Sequence, residues 1–233
     1  MAELDFSRRA ELVELMDEPC SYEDFRGCLR HIERVNRLSS AYRPTLEFLD
    51  RIVRKRGMSS ALRIVDVGSG YGDFLRRIER WAAERGVAVS LTGVDLHPYA
   101  IRAAREASPP ESRIEWVESD AVACDLPADV IINSLLTHHL SEPEIVRLLG
   151  WTEQTARAGW FINDLHRKPV PYYLFGALAL GPWWHRFTRH DGMASIRRSF
   201  LAEDWERMLA AAGVAGAEVL TFRPARLCVE RVK

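Results

Sequence analysis

The stretch VDVGSGYGDF, residues 65–74, narrows the possible folds more than any other part of this chain. A β-branched run enters a turn carrying Gly68, Gly70 and Gly72, and a helical pattern follows at once, with Phe74, Leu75, Ile78 and Trp81 on one face. The same rhythm continues downstream. The apolar runs VSLTGVD, RIEWVES, DVIINSL and GWFIND are separated by helical stretches around residues 101–107 and 145–149. Near-continuous apolar strands alternating with amphipathic helices imply a parallel sheet covered on both faces. Ligands of such sheets bind at the carboxyl ends of the strands. The places to look are therefore Asp66–Gly72, Asp95, Asp120, Asn133–His139 and Asp164–His166.

The flanks read differently. Residues 1–57 are expected to be helical throughout, as an N-terminal cap: Ser21 and Asp24 suit a helix start, and Phe25, Leu29, Ile32, Val35 and Leu38 recur at helical spacing. A second helix is expected around Tyr42–Val53, ending at Gly57. The second domain, 58–233, contains an apolar, aromatic insert within 169–200, then a helix over 202–212. Two last strands, AEVLTF and RLCVERV, flank Pro224 as a hairpin. With 233 residues, 32 basic and 33 acidic side chains and a net charge of −1, the chain suits one elaborated α/β domain. That charge balance argues against a nucleic-acid partner, which would need a basic surface. Four cysteines without a C-x-x-C pair read as buried thiols in a reducing compartment. The charged start MAELDFSRRAEL lacks a secretory h-region and no apolar run is long enough to span a bilayer, so a cytoplasmic protein without stable membrane insertion is expected.

A glycine triplet alone serves both dinucleotides and other nucleoside ligands. Dinucleotide sites want a small residue where this chain has Asp73, and Asp66 at the mouth of the loop would repel a pyrophosphate. Carboxylates here suit a cationic ligand without phosphates, such as S-adenosylmethionine. Asp95 ends the second strand, where an acid can accept from both ribose hydroxyls. Asp120 follows the third, where it can accept from an adenine amine while Ala121 offers its N–H.

On VDVGSGYG, GVDLHP, ESDA and THHL, the chain from about residue 60 onward resembles the class I S-adenosylmethionine-dependent methyltransferases, in their small-molecule, quinone and polyketide branch. The resemblance implies a Rossmann-like seven-stranded sheet with helices on both faces, its last strand antiparallel and entering as a hairpin. It implies S-adenosyl-L-methionine as cofactor, held by Asp66, Gly68, Ser69, Gly70, Asp95, Leu96, Asp120, Ala121, Asn133 and His138.

Methyl transfer is an in-line displacement in which positioning and exclusion of water matter most. A phenolic acceptor must also lose its proton. Candidate bases are His166 and His139, with His190 and Asp191 as a pair borne by the insert. Tyr172, Tyr173, Phe175 and Trp184 are expected to wall a pocket for a hydrophobic or aromatic acceptor. Asn133 and Ser134 match neither the nucleobase methylation motif nor the metal-dependent catechol pattern, so a metal-free site is expected. The basic stretch with Arg186, Arg189, Arg197 and Arg198 suits a solvated face, an acidic substrate or an anionic lipid. The leading expectation is O-methylation of a phenolic or polyketide-like acceptor in secondary metabolism, by a monomer or homodimer. C-methylation, a non-catalytic binding subunit and a dinucleotide oxidoreductase are the alternatives.

Overall fold

The structure, a computed structural model, describes residues 4–57, 60–124, 126–179, 181 and 186–233. Among them, seven strands form one sheet in the order β3-β2-β1-β4-β5-β7-β6. The strands are β1 (Leu62–Val67), β2 (Val89–Asp95), β3 (Glu115–Glu118), β4 (Val130–Ser134), β5 (Gly159–Leu165), β6 (Glu218–Phe222) and β7 (Arg226–Val232). The first five are parallel. β7 inserts antiparallel between β5 and β6, as the resemblance implied. Strand order reverses between β1 and β4, which puts the crevice for a ligand beside the glycine turn.

The helices are α1 (Tyr22–Leu38), α2 (Arg43–Arg56), α3 (Asp73–Arg85), α4 (Pro98–Ala107), α5 (Glu142–Thr155), α6 (Pro169–Leu178), α7 (Arg186–Arg198) and α8 (Ala202–Ala211). On one face of the sheet, Phe48, Leu49 and Ile52 of α2 join Leu75, Ile78 and Trp81 of α3 and Ile101 of α4. The other face is covered by Ile145, Leu148 and Leu149 of α5 and by Trp205, Met208 and Leu209 of α8. α2 is therefore part of the core, while α1 sets Phe25 and Leu29 against Tyr71, Ala100 and Ala103 above the strand ends.

Residues 4–20 are not helical. Their main-chain groups are claimed by distant side chains instead. Arg167 donates to the carbonyls of Phe6 and Ser7, and Asp191 accepts from the N–H groups of Leu15 and Met16. Arg9, within the segment, donates to the carbonyls of His138, Leu140 and Arg198. The segment is an irregular strap tied across the carboxyl end of the sheet.

The glycine turn also serves packing. Gly72 has φ +73°, and a Cβ there would lie 2.2 Å from the Trp116 indole. A Cβ on Gly93 would lie 2.3 Å from the same ring. Gly72 thus makes room for a tryptophan rather than for a ligand. No disulfide joins the four cysteines, and Cys20 and Cys124 are partly exposed, against the expectation that all four are buried.

Candidate active site

A cavity of about 1360 Å³ opens at the carboxyl ends of β1, β2 and β4 and runs under α1, α6 and α7. At one end lie Asp66, Gly68, Ser69 and Gly70, with Asp95, Leu96, Asp120 and Ala121. Asp95 accepts from the Gly70 N–H at 2.9 Å and the His97 N–H at 2.9 Å. Burial raises its pKa, and these two backbone bonds oppose the rise. Each oxygen keeps a further lone pair for a hydroxyl. Asp120 accepts from the Val122 N–H at 3.0 Å, starting a 3₁₀ turn that carries Ala121. Asp66 is buried, and burial together with Asp73 and Asp95 raises its pKa well above the usual carboxylate range. Asp66 Oδ1 and Ser69 Oγ are buried without a protein partner. Orphaned polar atoms in a cavity mark the places where a ligand completes the bonding. This end fits a nucleoside bearing a cationic group.

Asp73 has another duty. It accepts from Asn36 at 3.1 Å and from the Tyr42 hydroxyl at 2.8 Å, and Arg226 donates to Asn36 at 2.8 Å. That buried network ties α1 and the start of α2 to α3 and β7.

The other end combines an apolar wall with a charged cluster. Asp164, fully buried on β5, accepts from Thr137, from the His138 N–H at 3.1 Å and from its own neighbour Leu165. His138 Nδ1 lies 2.7 Å from Asp164 Oδ1. Burial works against ionisation of Asp164, but His138 and these donors hold its pKa well below the carboxylate range. An ionised carboxylate only accepts, so Nδ1 carries the hydrogen and a neutral His138 keeps its lone pair on Nε2. Nε2 faces Glu14 at 3.8 Å. His139 repeats the pattern, with Nδ1 3.1 Å from Asp17 and Nε2 3.8 Å from Glu14. Burial pushes the Glu14 carboxyl up to about 7, offset in part by His139 and Arg198.

The residues expected from sequence divide sharply. Asp66, Gly68, Ser69, Gly70, Asp95, Leu96, Asp120, Ala121, His138, His139, Phe175 and Asp191 line the cavity. Asn133 is buried in β4 and does not reach it. His166, one of the two favoured bases, is also off the cavity: it bridges Phe200 and its N–H donates to the Ala225 carbonyl. Burial and the neighbouring Lys168 and Arg167 lower its pKa. His190 points outward, with 54% of its side chain exposed. Asp191 reaches the cavity wall but is engaged by the strap's N–H groups, so its visible task is to hold that segment. On α6, Pro171, Leu174, Phe175 and Leu178 line the cavity, Leu174 and Leu178 staying half-exposed, whereas Tyr172 packs edge-on against Phe6 and neither it nor Tyr173 lines the cavity. Trp184 lies outside the described residues. Sequence reasoning missed Glu14 and Asp17, which have no periodic or motif signal, and gave His138 to the cofactor. Arg198 is engaged by Glu14 at 3.3 Å and Asp17 at 2.9 Å rather than left for an anion.

The methyltransferase domain family matches residues 64–159. No curated protein matches the chain. Among solved structures, the plantazolicin methyltransferase BpumL aligns with a TM-score of 0.65 at 16% identity, over 91% of this chain and 96% of that one. Human N-acetylserotonin methyltransferase aligns at 0.64 and 16% identity over 91% of this chain and 56% of its own. A SAM-dependent methyltransferase from Aquifex aeolicus aligns at 0.61 and 16% identity, over 91% and 98%. At such identities the likeness is one of fold, and it is the class I methyltransferase fold.

Proposed function

We propose that this S-adenosylmethionine-dependent class I methyltransferase methylates an oxygen of a hydrophobic, hydroxyl-bearing small molecule of the phenolic or polyketide type. The observation that carries the reading is the continuity of one cavity, from a nucleoside-binding end to an apolar chamber with His138, backed by Asp164, in its wall. S-adenosylmethionine supplies an electrophilic methyl carbon on a sulfonium. Asp95 would hold the ribose, Asp120 and Ala121 the adenine edge, and Asp66 the cationic end. The α1 helix stacks Phe25 on His97 beside this end, ring centroids 4.2 Å apart.

In the chamber, Leu174, Phe175 and Leu178 present an apolar wall to the acceptor. The wall of His138, His139 and Glu14 receives the acceptor hydroxyl. Asp164 fixes the His138 tautomer, so that Nε2 can assist loss of the hydroxyl proton. No described helix is long and apolar enough to cross a membrane.

The test is incubation of the purified protein with methyl-labelled S-adenosylmethionine and a panel of phenols, polyketides and quinones. Stoichiometric S-adenosylhomocysteine and a labelled methyl ether are expected. A new C–CH₃ group in the product would replace the reading with C-methylation. Tight cofactor binding without turnover of any acceptor would favour a binding subunit.

A further inference from the structure

We propose that Glu14, His138 and His139 form a binding site for one divalent first-row transition ion of the zinc type, with its open positions facing the acceptor chamber. The inference rests on the methyltransferase reading only for the purpose of the ion. The site itself stands on its own geometry.

One ligating atom from each of the three residues lies within 4.8 Å of the others. Each imidazole presents Nε2 to the Glu14 carboxylate, His138 to Oε1 and His139 to Oε2, at 3.8 Å in both cases. Metal–ligand bonds of about 2.0–2.2 Å place neighbouring ligand atoms roughly 3–4 Å apart, so the cluster needs only a small contraction. Both histidines have the outer contact that metal-binding histidines usually have, a carboxylate on the opposite ring nitrogen. Asp164 serves His138 at 2.7 Å and Asp17 serves His139 at 3.1 Å. Each contact fixes the tautomer that leaves Nε2 as the donor.

Glu14, Asp17 and Asp164 bring three carboxylates to two adjacent imidazoles, and Arg198 engages Glu14 and Asp17. Two imidazoles with one carboxylate select zinc, iron, cobalt or nickel over magnesium or calcium, which prefer oxygen throughout. Three protein ligands leave coordination positions open, as in catalytic rather than structural sites. With the ion bound, His138 Nε2 is a ligand rather than a base, and an acceptor hydroxyl held on the ion would lose its proton to solvent more readily, with no electron transferred.

The experiment uses tag-free, chelator-treated full-length protein titrated with cobalt(II), followed by visible absorption, with zinc(II) competition and with S-adenosylhomocysteine thermal shifts run in parallel. One equivalent of cobalt with ligand-field bands displaced by zinc is expected. Glu14→Gln should abolish the bands, and Asp17→Asn should weaken cobalt binding about 10–100-fold, while both variants keep the wild-type thermal shift with S-adenosylhomocysteine. Wild-type protein that is stabilised by S-adenosylhomocysteine but gives no bands would overturn the metal site and leave the methyltransferase reading intact. Bands unchanged in Glu14→Gln would also overturn it, by placing the ion elsewhere. Absence of any S-adenosylhomocysteine shift beside normal cobalt bands would defeat the cofactor reading and leave the metal site standing.

Discussion

Asp95 and His138 line the same cavity, but they are held in place by different means. Asp95 ends its own strand and is gripped by the backbone of the adjacent glycine turn and of the residue two places on. Everything that positions it comes from one βαβ unit. His138 depends on Asp164 from the next strand, on Glu14 from a strap near the N-terminus, and on Arg9, which binds its carbonyl from that same strap. The cofactor end is thus built from local chain and the acceptor end from parts far apart in sequence. An end built locally repeats wherever the same turn is made. An assembled end can be altered by changing any of its distant supports.

The largest effect expected from this contrast is at the acceptor end. His138→Ala should lower kcat by about 10²–10⁴-fold with S-adenosylhomocysteine affinity within a few-fold of wild type, as read by steady-state kinetics and calorimetry. A matching loss of cofactor affinity would return His138 to the cofactor end and break the comparison.

Next comes Asp95→Ala, which should weaken S-adenosylhomocysteine binding by roughly 2–4 kcal/mol, measured calorimetrically. Unchanged affinity would remove the ribose assignment.

Releasing the strap is a smaller perturbation. Asp191→Ala deletes two charge-assisted bonds to Leu15 and Met16, worth about 1–3 kcal/mol together once solvent competes. Amide exchange across residues 5–17 should accelerate and kcat should fall, with cofactor binding preserved. Exchange that does not change would show that the strap is held without Asp191.

The smallest effect separates two residues on one helix. Leu174→Ala should raise KM for an apolar acceptor by an amount equivalent to about 1 kcal/mol, whereas Tyr173→Ala should stay within about 0.5 kcal/mol of wild type. Equal effects would mean that α6 does not present the face described here.

That last pair shows where sequence reading reached its limit. Aromatic and apolar character places the insert at the chamber wall, and α6 does border the chamber, Phe175 among its lining side chains. On a helix, Pro171, Leu174, Phe175 and Leu178 recur on one side, and the two tyrosines fall on the other. His166 failed for a related reason. Side chains of successive strand residues alternate in direction, so Leu165 reaches the cavity and its neighbour does not. The strap was lost because it has no period at all: its backbone partners are side chains more than a hundred residues away.

What the sequence determined by itself was the sheet, the glycine turn and the acids at the strand ends. Those rest on period, turn chemistry and spacing, which act within a few tens of residues. Only the tertiary structure decided that Glu14 meets His138 and His139, that Asp164 orients one of them, and that Asp191 holds a strap. Each of those contacts joins segments whose separation along the chain carries no pattern. They form because the folded sheet brings its strand ends, the insert and the N-terminal strap to one side, where buried charges must find partners.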